Sequence, residues 1–202
     1  MLTDGLSTVS MATLIGRSDS FSVEPSRIHG VGLYPTHTFS KDESIYKISG
    51  RRVLADYDTN FGEGPNWIGL GWHEWLIPEP ANPIIFTNHA CCPNAIISDR
   101  LIVVALRNIE IGDEIVVDYS TTEVDPFWRM PCSCQSGICR KQIRAFSHFP
   151  VAVQRCYGRL LPSKFLEAAR KVNEVHRSTI LQRIRPLVRN KPAAVVETAE
   201  KI

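Results

Sequence analysis

Cys132, Cys134 and Cys139 crowd three thiols into one short loop with C-x-C-x4-C spacing, one short of the four that a tetrahedral structural Zn²⁺ takes. The fourth ligand must come from a distant part of the chain, and Cys91 or Cys92 in "NHACCPNA" (88–95) is the obvious donor. One metal held this way clamps the 132–139 loop over the 88–95 turn. Ligation needs reduced thiols. The opening stretch "MLTDGLSTVSMATLIG" lacks the cationic and apolar regions of a secretory signal, and no window approaches the ~18 apolar residues of a membrane span. An intracellular protein is expected, cytoplasmic before nuclear, without a membrane partner. Cys156 stands apart from the cluster and reads as a small buried hydrophobe.

The rest of the chain divides by periodicity. Residues 1–20 are Ser/Thr-rich and aperiodic, a flexible lead. From Phe21 the apolar residues come in short, β-branched runs with turn punctuation, such as "ESIYKISGRRVL", "PIIFTN" and "AIISD". "LIVVALRNI" and "DEIVVDY" read as two strands joined by a tight turn at "EIGDE". After Pro150 the pattern turns helical. In "PSKFLEAARKVNEVHRS", Phe165, Leu166, Ala169, Val172 and His176 fall on one face, expected to pack on a sheet. With 202 residues, one main core with an appendage is expected, mostly β with some α.

Charge is divided as well. Residues 1–139 carry 9 Lys+Arg against 17 Asp+Glu, and residues 140–202 carry 14 against 4. An acidic body suits a cationic, Lys-rich partner. The basic tail suits nucleic acid, an acidic protein or the body itself. Its amphipathic helices also offer a face for a homodimer.

Two further segments carry chemistry. In "RIHGVGLYPT" (27–36), Gly30 and Gly32 flank Val31, so the backbone can approach a ligand or form a β-bulge. Asn88 and His89 place an amide and an imidazole side by side, and Pro93-Asn94 closes the turn. "HGVGLY", "NHACCPN", a "GDE" turn before a strand ending in "DY", and "CSCQSGIC" follow one another in the order seen in SET-domain lysine methyltransferases, which the chain resembles from Phe21 to Ile143.

That resemblance implies a β-clip-like SET fold of small sheets over 21–125, a post-SET zinc loop over 126–145 and a C-terminal helical extension over 146–202. It implies methyl transfer from S-adenosylmethionine to a lysine of a protein substrate. It selects Cys91 over Cys92 as the fourth Zn²⁺ ligand beside Cys132, Cys134 and Cys139. His29, Gly30, Val31 and Gly32 would cradle the methionine part of the cofactor, and Asn88 and His89 the adenosine end. Trp128, or Phe127, would stack on adenine. Tyr119 would touch the cofactor and orient the reacting lysine nitrogen.

The chain departs from the family pattern at two places. Ile48 stands where many members place a tyrosine, with Tyr46 on the same strand face as a partial substitute; Val117 stands where a larger aromatic is common, leaving room for di- or trimethylation. Tyr46, Ile48 and Val117 are thus expected along the substrate channel. Asp56, Asp58, Glu63, Glu74 and Glu79, in a segment that helps the family recognise substrate, again suggest a cationic target. Two other readings compete. One is an inactive SET-fold module that binds a Lys-rich partner. The other is a zinc-stabilised nucleic-acid binder, against which the basic tail lacks an interleaved aromatic platform.

Overall fold

The structure, a computed structural model, describes residues 19–54, 66–71, 74–125, 128–149, 154–155, 157, 159–171, 173–175 and 178. The expectations for residues 1–18, Asp56, Asp58, Glu63, Phe127, Cys156, Val172, His176 and most of the basic tail lie outside them.

The described strands are short, as the turn punctuation demands. β1 (Phe21–Pro25) and β2 (Val31–Pro35) form a hairpin in regular register from Phe21 opposite Pro35 to Pro25 opposite Val31. Its loop closes through Ser26 N–H to Gly30 C=O, with Gly30 at φ +52°, a left-handed conformation that glycine adopts at little cost. The glycine segment is therefore a turn running into a strand, not a bulge. β3 (Ser44–Lys47) is followed by β4 (Gly50–Leu54), β5 (Ile68–Gly71) and β6 (Glu74–Pro78), of which the last three form one sheet in the order β4-β6-β5.

After a 3₁₀ turn at Pro83–Phe86 come β7 (Asn88–His89), β8 (Ala95–Ile97), β9 (Ile102–Ala105) and β10 (Val116–Val117). β9 is the centre of a second three-stranded sheet, β3-β9-β8, and its inward Val103 and Ala105 are fully buried. The expected pairing of "LIVVALRNI" with "DEIVVDY" does not form. The Gly112 turn is present, with φ +90° and Asp113 N–H on Glu110 C=O, but the two segments go to different partners. Ile109 bridges to Phe39, Ile115 bridges to Leu33, and β10 runs parallel to β7. The apolar side chains decide this: Phe39, Leu33, Ile109 and Ile115 all belong to the main core with at most 3% exposure, which a simple hairpin would not bury.

β11 (Arg129–Pro131) and β12 (Gln142–Arg144) pair antiparallel and carry the cysteine loop between them. Beyond them, residues 163–171 are helical. Phe165, Ala168 and Ala169 are buried against Phe146, Phe149 and Ile96, with the Phe146 and Phe165 rings 5.7 Å apart. The helix thus packs on the β8–β9 sheet as its periodicity implied, with Ala168 fully covered and Leu166 only partly so.

A candidate cofactor cavity beside a thiol cluster

The parallel contact of β7 with β10 assembles the site. Asn94, 3% exposed, clips the two segments: its Nδ2 donates to Glu114 C=O (2.8 Å) and its Oδ1 accepts from Val116 N–H (2.8 Å). Ala90 N–H on Val117 C=O extends the clip. Asn88 and His89 are thereby set beside Asp118 and Tyr119.

Asn88 faces the glycine loop. Its Nδ2 donates toward His29 C=O (3.2 Å), Val31 C=O (2.9 Å) and Glu114 Oε1 (2.7 Å). Glu114 also accepts from Ser26 Oγ at 2.8 and 2.9 Å. The carboxylate lies across Gly32: a Cβ there would sit 2.6 Å from Glu114 Cδ. Gly32 is required by that close approach, and Glu114 buckles the loop to β7.

Tyr119 opens a short 3₁₀ turn, Tyr119–Thr122, whose N-terminus is capped by Asp118 accepting from Ser120 N–H at 3.0 Å. Its hydroxyl donates to Thr87 C=O (2.9 Å). Thr87 Oγ1 gives its proton to Pro83 C=O (3.0 Å), so at 2.6 Å it accepts from Tyr46 OH. The two tyrosine hydroxyls therefore meet on one threonine. Burial first, and the Glu114 carboxylate second, push the Tyr119 hydroxyl up to about 12, so it stays protonated. His89, 5% exposed, accepts Tyr119 N–H on Nδ1 (3.2 Å), which leaves the proton on Nε2, 3.4 Å from Cys91 Sγ. Burial, outweighing the Asp118 carboxylate, holds His89 down at about 4 and therefore neutral. Its 3.5 Å approach to Asp118 is thus no ion pair; Asp118 takes its charged bond from Arg140 Nη2 at 2.7 Å.

These elements enclose a cavity of about 440 Å³, within the range of small-molecule sites. Ile28, His29, Asn88, His89, Val117, Tyr119 and Trp128 line it together with Cys132 and Cys134. Trp67, Trp75, Thr122 and Glu123 close another wall.

The thiols gather on the cavity's flank. Cys91 Sγ is 3.7 Å and Cys139 Sγ 3.6 Å from Cys132 Sγ, and Cys91 N–H points at Cys134 Sγ (3.4 Å). Four thiolates at a Zn–S distance of ~2.3 Å stand about 3.8 Å apart at the corners of a tetrahedron, so the spacing fits. The His89 ring also lies within 4.8 Å of the sulfurs of Cys91, Cys132 and Cys134; to replace Cys139 as fourth donor its Nε2 would first have to lose its proton. Burial pushes the Cys132 thiol up, while at Cys134 the N–H groups of Cys91 and Ser136 outweigh burial and hold the thiol down at about 7. Cys92 is exposed and outside the cluster.

Residues 30–120 match the family model of the SET domain. This segment is a SET domain. Over 141 residues the chain is 28% identical to histone-lysine N-methyltransferase 2B of Homo sapiens, covering 61% of this chain and 5% of that protein. It is 31% identical over 143 residues to histone-lysine N-methyltransferase trithorax of Drosophila virilis, covering 62% and 4%. The chain therefore spans only a small part of these relatives. A crystal structure of KRYPTONITE in complex with mCHH DNA, H3(1-15) peptide and SAH superposes with a TM-score of 0.50 at 17% identity, covering 61% of this chain and 29% of that one, a likeness of fold.

Within the SET domain, the sequence-derived residues are not all on the cavity. His29, Asn88, His89, Val117, Tyr119 and Trp128 are. Gly30, Val31 and Gly32 stand behind its lining, with the Val31 carbonyl tied to Asn88. Asn88 likewise spends its amide on the loop. Ile48, expected along the channel, is 2% exposed inside the main core, because its N–H joins Leu101 C=O at 2.7 Å and turns it inward. Tyr46 reaches the site only through Thr87. Glu74 pairs with Arg52 at 2.6 Å and Glu79 accepts from Ser49 Oγ at 2.7 Å. Sequence reading passed over Glu114, Thr87, Asp118 and Glu123. Glu114 and Asp118 stand within the quoted "GDE" and "DY", yet neither was given a role.

Proposed function

We propose that this chain transfers the methyl group of S-adenosylmethionine to a lysine side chain of a protein. The observation that carries the reading is the convergence of His29, Asn88, His89 and Tyr119 on one cavity inside a SET domain. The donor set suits the cofactor, whose sulfonium supplies an activated methyl group: a part-apolar cavity of suitable volume, with His29 of the buckled glycine loop in its wall. The solved KRYPTONITE complex, which holds SAH and an H3 peptide, adds support for both the methyl donor and a lysine-containing substrate.

The chain's own residues mainly position the reactants. Tyr119 stays neutral, and with its proton committed to Thr87 its oxygen lone pairs are free to orient the lysine nitrogen and to accept weak C–H···O contacts. Tyr46 fixes Thr87 from the other side. A free lysine costs roughly 4.6 kcal/mol to deprotonate at pH 7, taking a pKa of ~10.4 and 1.36 kcal/mol per unit. A desolvated cavity lowers that cost. Val117, in place of a bulkier side chain, leaves room for an already methylated nitrogen.

Cys91, Cys132 and Cys134, with Cys139 or His89, would hold Zn²⁺. The metal would supply folding energy to the loop that walls the cavity, not chemistry. The test is radiolabelled methyl transfer from S-adenosylmethionine to core histones and a library of Lys-containing peptides. Transfer that Tyr119→Phe removes supports the reading. A folded protein that binds the cofactor and labels nothing overturns it in favour of a non-catalytic module.

A further inference from the structure

Glu123 is a carboxylate with no place in the scheme above. It follows the Tyr119–Thr122 turn, is 8% exposed, and lines the same cavity as Tyr119 and Val117. One oxygen, Oε1, accepts from Asp125 N–H at 2.8 Å. No Lys, Arg or His of the described residues forms an ion pair with it. Trp67 and Trp75, with ring centroids 6.4 Å apart, line the same cavity and make the surroundings of the carboxylate largely apolar. A carboxylate is costly to bury unless something that visits the cavity compensates it.

We propose that Glu123 receives the substrate ammonium and is its proton acceptor before methyl transfer. This rests on the lysine-methylation reading. The ammonium Nζ–H bond breaks and the proton passes to a Glu123 oxygen. The freed nitrogen lone pair forms the N–CH₃ bond as the S–CH₃ bond breaks, leaving a thioether and a methylammonium. The Glu123 proton leaves to water when the products depart. Burial opposes both the ammonium and the carboxylate, and one proton transfer removes both charges at once.

The electrostatics agree with the geometry. Burial holds Glu123 up at about 7, the nearby Asp125 carboxylate adds to the effect, and the N–H groups of Asp125 and Val124 only partly offset it. No Lys or Arg stands among the described residues that line the cavity with Glu123. A group poised there is suited to proton transfer near neutral pH.

The test uses the full zinc-loaded chain, with Glu123→Gln, Glu123→Asp and wild type compared on one wild-type peptide substrate from the library. Gln keeps the acceptor for Asp125 N–H and removes the charge and the proton affinity. Expected are unchanged S-adenosylmethionine affinity by calorimetry, kcat/KM lower by roughly 10²-fold, loss of the acid limb near neutral pH, and partial recovery in Glu123→Asp. Wild-type rate and pH profile in Glu123→Gln overturn the proposal. So does a parallel loss of cofactor affinity, which makes Glu123 a cofactor contact. A wild type that labels no lysine while binding cofactor defeats the underlying reading first, and is recognised because the failure precedes any substitution.

Discussion

Glu114→Ala is the perturbation for which the structure gives the clearest magnitude. The carboxylate accepts from Ser26 Oγ at 2.8 and 2.9 Å and from Asn88 Nδ2 at 2.7 Å, joining the glycine loop to β7. A hydrogen bond to a charged group contributes about 1.5–3 kcal/mol, and these two donors together with the longer bond from Tyr34 OH at 3.3 Å share one partly exposed carboxylate and are not additive, so about 2–4 kcal/mol is expected for the set. For a domain of this size that lowers Tm by roughly 4–15 °C. Asn88 keeps His29 C=O and Val31 C=O, so the loop loosens without detaching, and S-adenosylmethionine affinity should fall by about tenfold to a hundredfold, about 1.4–2.8 kcal/mol and hence only part of that loss. Gly32→Ala should mimic the defect, since its Cβ would sit 2.6 Å from Glu114 Cδ and push the carboxylate off its donors. In the Glu114→Ala background the three atoms nearest the added methyl are gone, so Gly32→Ala should cost little further. Thermal melts and calorimetry on the four proteins of this cycle measure it. Wild-type Tm and cofactor affinity in Glu114→Ala, or additive losses in the double variant, would refute the buckle.

Three further outcomes follow from named contacts. Cys91→Ser and Cys132→Ser should lose metal by elemental analysis while Cys92→Ser keeps it; full metal content in Cys91→Ser would remove it from the ligand set. Comparing Cys139→Ser with His89→Ala in the same assay identifies the fourth donor. Phe165→Ala empties a site that is 1% exposed between Phe146 and the β8–β9 sheet and should cost about 3–5 kcal/mol in urea denaturation; a loss below 1 would mean the helix does not hold the sheet. For Glu123, with a folded value of about 7 against an ordinary 4.5, the folded state binds the proton more tightly. Stability should therefore fall as pH rises from 4.5 to 7, by about 3 kcal/mol at 1.36 per unit, and level off above. Glu123→Gln should flatten that part of the Tm–pH curve, and parallel curves would contradict the burial argument.

Much of this architecture was readable because short-range chemistry dictated it. Short β-branched runs and the facing apolar residues of the C-terminal helix need no partner to be recognised, whereas the Gly30 turn reads as a possible β-bulge from the residues alone. The cysteine spacing even forecast a long-range contact between the Cys91-Cys92 pair and the 132–139 loop, with Cys91 chosen by the family resemblance. What the residues did not reveal are choices among partners. The run around Gly112 is compatible with a hairpin, and only the company of Phe39 and Leu33 draws its two arms apart. Ile48 packs inside the main core at 2% exposure, a burial that its place between two short strands does not announce. Asn88 reads as a ligand donor, yet its acceptors are carbonyls contributed by a loop nearly sixty residues earlier. Glu123 looks like an ordinary surface acid until folding buries it.

The central claim is that the cavity bounded by His29, Asn88, His89, Tyr119 and Trp128 is a cofactor site. Calorimetric titration of the zinc-quantified protein with S-adenosylmethionine tests it most directly. The account predicts one saturable site per chain, weakened by Glu114→Ala and unchanged by Glu123→Gln. No heat of binding from a folded, metal-loaded sample would contradict it, leaving the SET domain here as a scaffold without a methyl donor.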